Sequence, residues 1–278
     1  LLLQIFGLIK MKKNKINKIA KEVVQYEIDA LRNLKKSFNS EYLEVIKTIL
    51  NCKSGKIIIS GVDKSGIIAR KWAATFSSTG TPAFFMDASN ASHGDMGQIT
   101  SKDVVILISN SGESEELKNI IQYTSRNRNI KLIGITSKKD SVLYKNSDAS
   151  FLMPKIKEAG PENIVPTSST TAQLALGDAI AIACMENKNF TKLDFKKFHP
   201  GGSLSVKLKT VGDLMITGRN LPIVKENTIM KKAVKIINDK KLGVLIIKKE
   251  NGDTTGIITD GDLRRITQKY KKIEELKL

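Results

Sequence analysis

The chain has 278 residues, 41% of them hydrophobic, and carries 46 Lys and Arg against 28 Asp and Glu for a formal net charge of +18. That apolar share excludes a disordered chain and suits one large domain plus a small one, at roughly 100 to 200 residues per domain. Two cysteines, Cys52 and Cys184, are too few for a disulfide framework or a metal knuckle, and they point to a reducing compartment.

The opening run LLLQIFGLIK is too short for the roughly 20 apolar residues of a membrane span, and its charges follow the apolar stretch, the reverse of a secretory signal. Met11 reads as the biological start, with residues 1–10 as upstream read-through. Ile16, Ile19, Val23, Ile28, Leu31 and Leu34 recur at helical spacing and predict a long amphipathic helix over 14–38, followed after Asn39 and Ser40 by a second helix to about Leu50. The pattern then changes to short apolar runs: KIIIS (56–60), PAFFM (82–86), DVVILIS (103–109), KLIGIT (131–136) and ASFLM (149–153). These predict buried strands. Helix-length segments at 67–78, 114–127 and 141–147 lie between them, so the chain reads as α/β, a parallel sheet sandwiched by helices, with ligands at the carboxyl ends of its strands. TAQLALGDAIAIACME (171–186) predicts a core helix with Gly177 as a close-packing point. After HPGGSLSVKLK (199–209) a second domain of about 70 residues begins, a small αββα unit with a hairpin turn at Asn251 and Gly252.

Charge is unevenly spread: nine basic and three acidic groups in 1–40, twenty and sixteen in 41–206, seventeen and nine in 207–278. No helix-turn-helix, finger or RNA-stacking signature interleaves with the lysines, so a solvated basic surface is expected rather than a nucleic-acid site.

Strand KIIIS runs into GVDKSG, which places Gly61, Lys64, Ser65 and Gly66 on a strand-to-helix turn. There a helix N-terminus offers free N–H groups and the positive end of its dipole. DVVILIS is followed by SNSGESEE in the same way, with Ser109, Ser111, Gly112 and Ser114 at the next helix start. Two such hydroxyl-rich turns in one sheet point to a phosphate ester. Neither a Walker motif nor a full G-x-G-x-x-G is present, which disfavours ATP hydrolysis and hydride transfer. A third hydroxyl run, PTSSTTAQ (166–173), opens the core helix, where simple N-capping is the competing explanation.

GVDKSG, AATFSSTGTP (73–82), ASHGDMG (91–97), ISNSGESEE (108–116), KEAGPENIVPTSSTTAQLALGDA (157–179) and DFKKFHPGGSL (194–204) together resemble the arabinose-5-phosphate isomerase family, in which a sugar isomerase (SIS) domain precedes two CBS repeats. The resemblance spans about 18–265 and implies an SIS domain over 11–206 and a first CBS repeat over 207–278. A second repeat would lie beyond Leu278, so the sequence reads as a fragment. The implied activity interconverts D-ribulose 5-phosphate and D-arabinose 5-phosphate for Kdo and lipopolysaccharide synthesis, in a cytoplasmic homotetramer. No cofactor is required, no membrane or nucleic-acid partner is expected, and an adenine nucleotide is the implied ligand of a completed CBS pair, near Thr259 and Asp262.

Moving a carbonyl between C1 and C2 needs a base, an acid and a cation near the oxygen. The resemblance carries these roles to Lys64, Glu116, Glu158 and His199: Lys64 for phosphate or oxyanion, His199 and one glutamate for the proton. It carries sugar-phosphate binding to Ser65, Gly80, Thr81, His93, Ser109, Ser111, Ser114, Ser168 and Thr170. His93 is also the one implied position for an inhibitory zinc. Asp63 departs from the family's Gly in GxGKSG, and Asp87 and Asn90 replace its usual His and Glu. The alternatives are a non-catalytic sugar-phosphate sensor of the same fold, or an isomerase for another sugar phosphate.

Overall fold

The computed structural model describes residues 13–199, 209–270 and 276–278. The expected read-through at 1–10 and the Pro-Gly-Gly of HPGG lie outside the described residues. The chain forms two compact units, Leu1–Ser205 and Val206–Leu278.

In the first unit, α1 (Lys13–Ser37) and α2 (Ser40–Asn51) are separated where the Asn39 side chain accepts a hydrogen bond from the Glu41 N–H and starts the second helix. There follow β1 (Ile57–Gly61), α3 (Asp63–Ser78), β2 (Ala83–Phe85), α4 (Ala88–Ala91), β3 (Val104–Ile108), α5 (Glu115–Arg126), β4 (Lys131–Thr136), α6 (Val142–Asn146), β5 (Ala149–Leu152), α7 (Ser168–Asn187) and α8 (Lys192–Phe198). The strands form one parallel sheet in the order β2-β1-β3-β4-β5.

Every residue of β1 and β3 is buried, because both faces of the sheet are covered. Alternation divides them between two cores. Ile57, Ile59 and Ile106 face Trp72, Phe76, Leu176 and Ile180, while Ile58, Val105 and Leu107 face Leu117, Ile120 and Leu143. Gly177 lets α7 close on α3: a Cβ there would collide with the Trp72 indole, whose Nε1 donates to the Gln173 carbonyl at 2.9 Å. Helices α3 and α7 begin three to four residues before the apolar periodicity that predicts them, because their first turns are made of polar residues.

The second unit contains α9 (Val211–Leu214), β6 (Ile223–Lys225), α10 (Met230–Lys240), β7 (Val244–Lys248), β8 (Thr254–Thr259) and α11 (Asp260–Lys269). The αββα expectation misses β6, a three-residue strand after Pro222 that adds in parallel to β7. β7 and β8 form the expected hairpin, with Gly252 at φ +91°. Both cysteines are free.

Candidate functional site

The first turn follows β1. A Cβ on Gly61 would lie 2.9 Å from the Ser65 backbone, and one on Gly66 2.7 Å from the Gly61 carbonyl oxygen, so two glycines allow the chain to fold tightly back. No side chain caps α3, which leaves its first N–H groups without a capping acceptor. Lys64 is half exposed, with its Nζ 2.8 Å from the Asp63 carboxylate. The Ser65 hydroxyl donates to Gln173 Oε1 at 3.3 Å and ties the turn to α7.

The second turn follows β3. Since β1 and β3 are paired neighbours with Gly61 opposite Ile108, their turns stand side by side, about 5 Å apart at the backbone. The buried Ser109 hydroxyl accepts from the Gly112 N–H at 3.0 Å and lies 3.1 Å from Ser114 Oγ and 3.5 Å from Ser111 Oγ. Gly112 has φ +67°, and a Cβ there would strike Ser141. Glu116 stands exposed in the first turn of α5, where a carboxylate complements the helix dipole.

The third element joins β5 to α7. Thr167 makes no side-chain cap. Glu158 supplies it: its Oε2 accepts from the Thr167 N–H (2.9 Å), the Ser169 N–H (3.1 Å) and the Thr167 hydroxyl (3.3 Å). The competing explanation of PTSSTT as its own cap therefore gives way. Thr170 Oγ1 donates to the Thr167 carbonyl at 2.8 Å, and the fully buried Ser168 hydroxyl has no partner.

A fourth segment follows β2. Asp87, one of the departures from the family pattern, accepts from the Ser89 and Asn90 N–H groups at 2.9 and 3.2 Å and so starts α4. His93 is exposed, and its loop is held to α5 by Asn119 Nδ2 donating to Ser92 Oγ at 2.8 Å. Asn119 sits one turn beyond Glu116 on the same helix face, so the loop that holds His93 is tied to α5 one turn from that carboxylate. Among the described residues no three His, Cys, Asp or Glu converge as metal ligands.

Lys64, Ser65, His93, Ser109, Ser111, Ser114, Glu116, Glu158, Ser168 and Thr170 thus share the carboxyl edge of the sheet. Gly80 and Thr81 do not join them. They follow α3, whose sixteen residues span about 24 Å, and so lie at the amino edge. There Gly80 (φ +85°) packs under the Phe190 ring, and Lys188 Nζ donates to Thr81 Oγ1 at 2.8 Å; burial lowers the pKa of that lysine. His199 belongs to the same edge, since Phe198 stacks on Phe190 with ring centroids 5.8 Å apart. The His199 ring stacks on Phe195 at 3.8 Å, with Nδ1 2.9 Å from the Phe195 carbonyl oxygen. A carbonyl only accepts, so Nδ1 carries a hydrogen and donates it to that carbonyl.

Gln173 and Asn119 were not read from the sequence as site residues. Gln173 is 1% exposed, and its signal is being the one amide in the largely apolar run TAQLALGDAIAIACME. Asn119 has no sequence signal, since a polar residue on an exposed helix face is ordinary.

A family model described as the SIS domain matches residues 49–183, and one described as the CBS domain matches 211–269. Arabinose 5-phosphate isomerase KdsD of Francisella tularensis is 45% identical over 250 residues, 89% of this chain and 76% of that protein. KdsD of Escherichia coli K12 is 41% identical over 259 residues, 93% of this chain and 78% of that protein. An Escherichia coli CFT073 protein solved in complex with arabinose 5-phosphate superposes with a TM-score of 0.66 at 40% identity, covering 68% of this chain and 100% of that one. On its residues, its fold and this likeness along most of its length, the chain belongs to the arabinose 5-phosphate isomerase family.

Proposed function

We propose that the chain is an aldose–ketose isomerase interconverting D-ribulose 5-phosphate and D-arabinose 5-phosphate through an enediol. The observation that carries this is the pair of adjoining turns after β1 and β3, which put uncapped α3 N–H groups, Lys64 and three serine hydroxyls on one small surface suited to a phosphate. With the phosphate held there, C1 and C2 of an open-chain pentose extend toward Glu116, Glu158 and the His93 loop. A base removes the C1 proton of the ketose, the enediolate oxygen is stabilised by a cation or hydrogen-bond donors, a proton passes from the C1 hydroxyl to the C2 oxygen, and the carbon-bound proton is returned to C2, leaving the carbonyl at C1. C1 is oxidised and C2 reduced within the one molecule, so the sequence of proton transfers balances without an external oxidant or reductant.

His199 lies at the far edge of its own subunit, with α3 and the sheet between it and Lys64. We infer that a second copy supplies it, within the homotetramer that the family resemblance implies. Exposed apolar residues flank both halves: Ile67 and Ile164 beside Lys64 and Glu158, Leu193 and Phe198 beside His199. Such residues suit burial between copies. The setting inferred from the family is the cytoplasm, in Kdo supply; among the described residues no helix is long and apolar enough to cross a membrane. An adenine nucleotide at a completed CBS pair is a separate proposal, tested by titrating ATP and AMP into the full chain.

Incubation with ribulose 5-phosphate in heavy water tests the enzyme reading. The expected result is arabinose 5-phosphate carrying deuterium at C2. Tight binding of the sugar phosphate with no arabinose 5-phosphate formed would make the protein a sensor instead.

A further inference from the structure

We propose that Asp63 is a built-in competitor for the substrate's phosphate, an affinity-setting residue in the anion turn; this rests on the isomerase reading above. Asp63 has φ +52°, in the left-handed region that costs nothing to glycine and is unfavourable for a residue with a Cβ. Its carboxylate is 2.8 Å from Lys64 Nζ, in a turn whose other groups are uncapped N–H donors and the Ser65 hydroxyl. An anion-binding turn thus already holds an anion, and that anion engages the ammonium group available to an incoming phosphate.

The magnitudes set what this does. Both side chains are more than half exposed, 68% for Asp63 and 54% for Lys64. An exposed ion pair is weak and readily exchanged, so Asp63 does not block the turn. Once phosphate is bound, the displaced carboxylate remains within a few ångströms of a dianion, and repulsion across water at that range weakens binding by about tenfold. Asp63 therefore sets how much sugar phosphate is needed to fill the site while the reacting carbons are handled elsewhere.

The test compares the full-length wild type with Asp63→Asn, which keeps the shape and removes the charge, and with Asp63→Gly, which also relieves the backbone. Two quantities are measured: KM and kcat for ribulose 5-phosphate, and the dissociation constant of inorganic phosphate by calorimetry at low and high ionic strength. In Asp63→Asn both KM and the phosphate constant fall about tenfold at low salt. The change in kcat stays below about threefold, and the difference from wild type shrinks as salt screens the charge. Unchanged or weaker phosphate binding in both variants, or a gain that salt does not alter, overturns the proposal. If the wild type does not isomerise ribulose 5-phosphate, the enzyme reading fails, while the phosphate titrations still judge Asp63.

Discussion

Glu158, proposed as a proton-transfer group, also has a structural role. Its Oε2 takes three donors at the start of α7, which fixes the orientation of the carboxylate. Glu158→Ala strips the acceptor from two backbone N–H groups and a hydroxyl, so it lowers stability by about 1–2 kcal/mol in urea unfolding. Glu158→Gln keeps an oxygen in the same place and loses less than half of that. A cost for Ala no larger than for Gln would mean that the cap contributes nothing. In the sequence, Glu158 reads as a surface residue between Lys157 and a proline-containing loop, because its partners are nine and eleven positions away. The Gly/Ser turns were legible for the opposite reason: Ser109, Ser111, Gly112 and Ser114 find their partners within five residues.

At the scale of elements, all five strands of the large sheet were legible, since continuous apolar runs bounded by polar turns have few other fates. The starts of α3 and α7 were not, because these helices open with residues whose helical state depends on caps and glycine contacts rather than on apolar spacing. The closeness of α7 to α3 rests on Gly177. Gly177→Ala forces the Trp72 indole or the whole helix to shift and costs about 1–3 kcal/mol, read as a lowered urea midpoint. In the second unit, β6 escaped notice because three residues carry too little pattern.

The candidate nucleotide residues Thr259 and Asp262 hold each other as a helix cap: Asp262 Oδ2 accepts from the Thr259 hydroxyl at 2.7 Å and from its N–H at 2.8 Å. The Thr259 hydroxyl, then its N–H, then Arg265 bring the Asp262 carboxyl from an ordinary 3.8 down to about 2. A lowered pKa means the cap contributes stability above the ordinary value, and that contribution is lost as pH falls toward about 2. Amide exchange in the first turn of α11, corrected for the intrinsic rate, therefore accelerates across that window in the wild type. Asp262→Asn shows no such step.

For the whole molecule, the decisive feature is that one chain does not gather the four residues proposed for catalysis. Lys64, Glu116 and Glu158 stand at the carboxyl edge of the sheet, and His199 at the amino edge beyond α3 and α7. Sequence order cannot reveal this, since every motif reads equally well whichever copy it serves. The same holds for Gly80 and Thr81, which lie on the His199 edge: a Gly-Thr turn after a helix looks alike at either edge of a sheet. Co-expression of Lys64→Ala with His199→Ala is the most direct test of the account. Each variant alone is inactive, and random assembly of the two restores about a quarter of the wild-type sites, because an intact carboxyl edge from one copy then meets an intact His199 from another. Conversion of ribulose 5-phosphate to arabinose 5-phosphate at that level supports the shared isomerase site; mixed assemblies as inactive as either parent contradict it.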